Sequence, residues 1–453
     1  MSSNWDWIRL GDYCSKIGSG ATPSGGKSSY LDFGPFCLIR SQNIYNDGFT
    51  PSGLAYISLE QAKKLESVSV EENDVLLNIT GDSVARVCLA LGQYLPARVN
   101  QHVAIIRPLE EKLDSRFLRY FLASPTQQNL MLGMAAAGAT RNALTKVMIE
   151  NFKVPCPPLE QQKQIAAILA LFDDRAALLR KTNAILEAIA QALFKSWFVD
   201  FDPVHARARG EQPPGLAPEV AALFPDSLEE SELGIVPKGW SWNVLGDVCA
   251  AHGGKIQTGP FGSQLHASDY VQEGTPVVMP KDISGRRVDG GTAARIGMAD
   301  VERLSRHQLQ IGDIVFSRRG DVEKHALIGE LEQGWLCGTG CLLVRPGKNW
   351  SSPGFLSRLL DLQSTKRWLT QHAVGATMPN LNTGILAAVP VLLPSREVLI
   401  EFEQLTHVLD TRISENNATI QTLSNLRDTL LPRLISGQLR LPDAEAMVSE
   451  AQA

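Results

Sequence analysis

Two stretches of the chain place apolar residues every seven positions. In the first, Ile165, Phe172, Leu179, Leu186 and Leu193 are each followed four positions on by Leu169, Ala176, Asn183, Ala190 and Trp197. In the second, Phe402, Leu409, Asn416, Leu423 and Leu430 are followed in the same way by Thr406, Ile413, Ile420, Arg427 and Leu434. A stripe sustained over about four heptads predicts two long helices of coiled-coil type. Neither helix buries its stripe alone, so pairing with the other is the economical arrangement. Forty helical residues span about 60 Å. The segments PCPPLEQQKQIAAIL, from Pro155, and VPVLLPSREVLIEFEQL, from Val389, lead into these helices. Their prolines stop the preceding strand and pre-set a first helical turn. Asn183 and Asn416 put one amide each into the stripe. A buried seam amide fixes register and an exposed one is hydrated, and the pattern leaves both readings open.

Outside the helices the apolar runs are short and β-branched: Val75–Leu77, Val103–Ile106, Ile314–Phe316 and Leu342–Val344. Turns rich in Gly, Asp, Asn and Pro separate them, as in a sheet-containing domain of mixed class. These runs belong to a repeat. WIRLGDYC, Trp7 to Cys14, recurs as WNVLGDVC, Trp242 to Cys249, and NDVLLNITGD, from Asn73, recurs as GDIVFSRRGD, from Gly312. Arg107-Pro108 answers Arg345-Pro346, Phe117-Leu118 answers Phe355-Leu356, and Gly138-Ala139-Thr140 answers Gly375-Ala376-Thr377. The offset stays between 235 and 240, and the two heptad registers share it, Phe402 lying 237 positions after Ile165. The helix is therefore part of the repeated unit.

The predicted architecture is α+β: two similar mixed α/β domains, residues 1–155 and 239–392, joined by a long antiparallel two-helix coiled-coil spacer with a pseudo-twofold internal repeat. The helices occupy 156–202 and 393–440. A proline- and charge-rich linker with one short helical turn is expected at 203–238, and a fraying tail at 441–453.

Composition narrows the function. With 453 residues, 44% of them hydrophobic and 20% charged, the chain can bury sizeable cores. No run of about 18 apolar residues occurs, and MSSNWDWIRL lacks the layout of a secretory signal, so a cytoplasmic protein is expected. Seven cysteines without dense spacing fit reduced thiols, and Cys337 and Cys341 read as structural. The net charge of −5 divides as +1 for 1–155, −4 for 156–239, +2 for 240–389 and −4 for 390–453. The acidic excess thus lies in the helical and linker segments, as solvated faces would place it.

Catalytic signatures are missing from the sequence. There is no GxxxxGK[ST] loop, no HExxH, and no (N/D)PP(Y/F/W) tetrapeptide of an adenine methyltransferase. Glu110-Glu111-Lys112 lacks the acidic partners of a nuclease and reads as a solvated loop. Neither a catalytic residue nor a metal site is expected. Duplicated, non-identical domains on a helical spacer suit binding, and duplex DNA with two half-sites fits such symmetry.

At this point the residues carry a resemblance. WxxLGD at the start of each half, PPLEQQKQIA entering the first helix, ALFKSWFVDFDPV leaving it, and SELGIVPKGW before the second half resemble the specificity subunits of Type I DNA restriction–modification systems. The resemblance covers nearly the whole chain. It implies two target-recognition domains that read a bipartite double-stranded DNA sequence, no catalysis and no cofactor in this chain, and no membrane. It also implies two methyltransferase subunits carrying S-adenosylmethionine, and two motor–nuclease subunits using ATP and Mg. A coiled-coil adaptor that ignores DNA is the alternative. It explains the helices but not the divergence of charged loop residues on a retained frame.

Base edges are read by Arg, Lys, Asn, Gln, Ser and Thr on loops. The DNA-binding candidates are Arg40, Gln42, Asn43, Asn78, Thr80, Arg86, Gln101 and Arg141 in the first domain, and Lys281, Arg286, Arg287, Arg318, Arg319, Lys324 and Asn380 in the second. Arg318 and Arg319 replace Ile79 and Thr80 of the first copy, the kind of divergence two different half-sites require. Trp7, Trp242, Cys14 and Cys249 read as core scaffold. Trp197, Phe198 and Phe201 at the first helix end are read either as a docking site for the methyltransferase or as packing.

Overall fold

The computed structural model describes residues 5–136, 143–291, 293–375 and 378–444. The chain forms two compact units, Met1–Lys181 with Asn416–Ala453, and Thr182–Glu415.

In unit 1 the apolar runs form the middle of an antiparallel sheet whose strands lie in the order Cys14–Ser19, Val103–Pro108, Val75–Asn78, Val87–Leu89. The runs lack polar alternation because both faces of this sheet are covered. Val75, Leu77, Ala104 and Ile106 face a core completed by the helix Ser115–Ala123 and parts of the two long helices. Leu76, Val103 and Ile105 face a second core. That core is closed by a mixed sheet in the order Ala55–Ile57, Phe36–Ile39, Ala97–Val99, Ser69–Val70.

Unit 2 repeats this plan. Its antiparallel sheet runs Lys255–Thr258, Cys341–Arg345, Ile314–Ser317, His325–Leu327, and its mixed sheet runs Tyr270–Val271, Ala294–Ile296, Thr275–Val278, Leu336–Cys337. The registers match: Val75 stands opposite Ile106, and Ile314 opposite Val344. A two-pronged ion pair braces the same place in each sheet. Asp74 accepts two hydrogen bonds from Arg107, each at 2.7 Å, and Asp313 accepts two from Arg345 at 2.8 and 2.6 Å.

The long helices run Leu159–Phe198 and Arg396–Ile435. In unit 1, Ile165, Leu169, Phe172, Ala176 and Leu179 share a core with Leu423, Leu430 and Leu434. In unit 2, Phe194, Trp197 and Phe198 share one with Val398, Leu399 and Phe402. The start of each helix thus meets the end of the other, the antiparallel pairing that the heptads predict. Asn416 is buried in the seam and Asn183 half-buried.

Three expectations are corrected. Trp7 is 61% and Trp242 37% exposed. Each sits on a short strand of a two-stranded sheet, paired with the strand before a long helix, which leaves the ring partly uncovered. Of the cysteines, Cys249 is buried and Cys14 only half-buried. Residues 203–238 are not an open linker. The helix Asp202–Ala208 and the hairpin Leu228–Ser231 with Gly234–Pro237 send Val204, Phe224 and Val236 into the unit 2 core, because these apolar side chains gain more from burial than the prolines oppose. Of the expected tail, Ala444 is buried in unit 1, while 445–453 lie outside the described residues.

Candidate nucleic-acid interface

One end of the antiparallel sheet in each unit gathers four loops into a cluster, held by the same backbone hydrogen bonds. In unit 1, Gly20 N donates to Val103 O, Ile79 N to His102 O, and Leu144 N to Ile79 O, at 2.8, 2.9 and 2.8 Å. In unit 2, Gly259 N donates to Cys341 O, Arg318 N to Gly340 O, and Leu381 N to Arg318 O, each at 2.9 Å. Isolated antiparallel bridges complete both frames, Thr80 with Ala143 and Arg319 with Asn380. The glycines are required by close approach. A Cβ on Gly20 would stand 2.2 Å from Val99 O, and one on Gly259 1.9 Å from Gly338 O.

On this shared frame the side chains differ. In unit 1 the amide nitrogen of Gln101 can only donate, and it does so to Nε2 of His102 at 2.9 Å; Nδ1–H of His102 then donates to Oγ1 of Thr80 at 2.6 Å. The Thr80 hydroxyl keeps its own hydrogen for another acceptor. Behind it Asn78 is fully buried, its Nδ2 donating to Ser41 O at 2.9 Å while its Oδ1 has no partner. In unit 2 the equivalent positions carry Arg318, half-buried with Nε unpartnered, and Arg319, exposed; Oδ1 of Asn380 is likewise buried without a partner. A buried polar atom left unpaired costs about 1–3 kcal/mol. Both clusters therefore hold unmet hydrogen-bonding capacity.

The other candidates divide into those beside a cluster and those used elsewhere. Arg40 and Gln42 border the unit 1 cluster, where both donate to Gly53 O, and Arg40 also lies over the Tyr30 ring. Arg86 stacks on exposed Tyr45, its guanidinium carbon 4.6 Å from the ring centre. Lys281 follows Pro280, whose ring packs beside Gly340 in the unit 2 cluster, and Lys324 pairs with Asp321 at 3.2 Å. Arg287 lies on the hairpin Ile283–Ser284 with Arg287–Val288. Arg141 lies outside the described residues.

Four candidates are corrected. Asn43 is fully buried and closes its own loop, donating to Thr50 O and Ser52 O and accepting from Arg40 N. Arg286 is buried at φ 63°, bonded to Ser357 Oγ and ion-paired with Glu187 of the first long helix. Trp197 and Phe198 are 1% and 8% exposed and cannot form a docking surface. They pack on Phe224, Phe355 and Phe402, while half-buried Phe201 stands edge-on to Trp240.

The sequence reading missed His102 and the charge clamps that hold each domain to its helices. In unit 1, Asp173 of the first long helix accepts from Arg119 and Tyr120 at 2.8 Å and from Arg427 of the second helix at 2.6 Å. Burial alone would raise the Asp173 pKa; Arg119 and Arg427 outweigh it and hold the carboxyl below the usual range. In unit 2, Asp410 occupies the equivalent position and accepts from Arg358 at 2.9 and 3.0 Å. The 237-residue spacing of Asp173 and Asp410 equals that of the heptads, a signal present in the sequence.

Among the described residues no group of His, Cys, Asp and Glu could hold a metal, and no helix is long and apolar enough to cross a membrane. In each unit a polar loop cluster stands at one end of the antiparallel sheet, and an arginine–aspartate clamp ties the domain to long-helix residues of the same unit. Comparison with known proteins adds to this. The family model described as "Type I restriction modification DNA specificity domain" matches residues 2–188. The chain is 24% identical to the MjaIX specificity subunit of Methanocaldococcus jannaschii, over 98% of this chain and 95% of the relative. It is also 24% identical to the HindI specificity subunit of Haemophilus influenzae, over 96% and 100%. The crystal structure of the Type I restriction–modification S subunit from M. genitalium shares the fold, with TM-score 0.52 and 16% identity over 96% of this chain and 97% of that one.

Proposed function

We propose that the chain selects a bipartite double-stranded DNA sequence for a Type I restriction–modification complex, each unit reading one half through its loop cluster. In this reading residues 1–155 and 239–392 are the two target-recognition domains. The long helices set the number of unread base pairs between the halves. Adenine methylation or restriction is carried out by partners: two methyltransferase subunits with S-adenosylmethionine and two motor–nuclease subunits with ATP and Mg. The overall acidity fits a protein that shares phosphate contacts with those partners, so that its own DNA face needs positive charge only locally.

One observation carries the reading. The same hydrogen-bonded frame is built twice, while the residues at its tip change from Ile79 and Thr80 to Arg318 and Arg319. A protein adaptor has no need of that change, nor of polar atoms left unmatched beside it. The test is single-molecule sequencing of the host genome with and without the gene. One split motif bearing methylated adenine should vanish on deletion and return with the gene. If every methylated motif survives deletion, the reading fails.

A further inference from the structure

Unit 2 carries at its tip an arginine that unit 1 lacks, held on a loop that is already ordered. Arg318 is tied by its N–H to Gly340 and by its carbonyl to Leu381, Ser317 Oγ donates to Arg319 O at 3.1 Å, and Gly320 N donates to Pro379 O at 3.0 Å. The backbone of Arg319 is thus fixed from both sides while its side chain is exposed. Several other arginines of the unit are committed to carboxylates, among them Arg286 to Glu187, Arg303 to Asp300, Arg345 to Asp313 and Arg358 to Asp410. The acidic side chain nearest in sequence, Asp321, is taken by Lys324. Among the described residues Arg319 forms no ion pair.

Resting on the function proposed above, we infer that Arg319 reads a guanine in the half-site of unit 2. The guanidinium offers parallel N–H groups and no acceptor. Guanine shows two adjacent acceptors, O6 and N7, in the major groove, and a two-pronged contact satisfies both. Adenine sets a donor beside N7, so one N–H of the fork would face another N–H. The neighbouring Nε of Arg318 and Oδ1 of Asn380 mark this loop as short of polar partners before DNA arrives. In unit 1 the equivalent bridge holds Thr80, engaged by His102, so the guanine contact belongs to one half only.

The experiment uses the full chain with its methyltransferase partner, after the methylated motif has been mapped. Each guanine of the motif is replaced in turn by 7-deazaguanine, which lacks the N7 acceptor, and affinity is read by fluorescence anisotropy. At least one guanine in the half read by unit 2 should be sensitive, and exchanging its pair for A·T should weaken binding roughly 5- to 150-fold. The Arg319→Ala complex should lose that sensitivity and keep the other half unchanged. Insensitivity at every guanine, or sensitivity that persists in Arg319→Ala, overturns the inference. So does an equal loss on cognate and shuffled duplexes, which would put Arg319 on a phosphate. The wild-type series needs no variant, so misfolding cannot mask the answer. Failure of the wild-type complex to tell cognate from shuffled DNA would instead overturn the underlying function.

Discussion

Removing the Asp173 carboxylate should loosen unit 1 at the point where its domain grips both helices. Asp173→Ala takes the acceptor from Arg119, Tyr120 and Arg427 at once. The side chains of Arg119 and Arg427 are only 7% and 15% exposed, so water cannot fully replace it. Truncating one partner of a buried pair costs about 3–5 kcal/mol. Asp173 itself is 22% exposed, which favours the lower end, about 3 kcal/mol. With a urea slope of about 2–3 kcal/mol/M, the midpoint of unit 1 should fall by about 1–1.5 M, measured by circular dichroism. Asp174→Ala, one residue on and exposed, should stay within about 0.5 kcal/mol of the parent. The pH dependence follows from the depressed pKa. A carboxylate held below its unfolded value stabilises above about pH 4 and loses that contribution as pH falls through its folded value. The gap between wild type and Asp173→Ala should therefore narrow towards pH 3. A midpoint equal to that of Asp174→Ala, or a gap indifferent to pH, would refute the clamp.

Two further outcomes are expected. Adding one heptad to each long helix lengthens the spacer by roughly 10 Å, about three base pairs at 3.4 Å; the mapped motif should gain unread pairs with both halves intact, and altered halves with an unchanged gap would mean the helices are not the ruler. Glu403 on the second helix accepts from Gly354 N and Phe355 N at the start of the helix Pro353–Asp361, and burial, outweighing those bonds, lifts its pKa to about 7. A raised carboxyl favours the fold at low pH and loses that contribution as pH rises through 7, so Glu403→Gln should raise the melting temperature of unit 2 at pH 8 by the equivalent of about 1–3 kcal/mol and leave pH 5 nearly unchanged; equal shifts at both would count against it.

The architecture was legible because it rests on period. Heptads mark helices whatever surrounds them, and the recurrence of Val75–Leu77 as Ile314–Phe316 carries strand register with it. The candidate site was legible only in part. Thr80, Arg318, Arg319 and Asn380 stand at the tip because they lie on the frame that the repeat preserves. Asn43 and Arg286 are the same residue types in similar loops, but the carbonyls of Thr50 and Ser52 and the carboxylate of Glu187 use up their donors. Those partners lie up to 99 positions away, and only the fold brings them together. The exposure of Trp7 reversed expectation, and the burial of Trp197 decided between docking and packing, for a related reason: a ring's surroundings depend on which neighbour covers it.

The central claim is that two loop clusters divide the reading of one DNA sequence. It is met most directly by measuring the affinity of the chain with its methyltransferase partner for four duplexes: the mapped motif, each half scrambled singly, and the gap scrambled. At about 1–3 kcal/mol per mismatched pair, scrambling either half should weaken binding at least roughly 100-fold, whereas scrambling the gap should change it by less than about 3-fold. Equal affinity for all four duplexes would contradict the account.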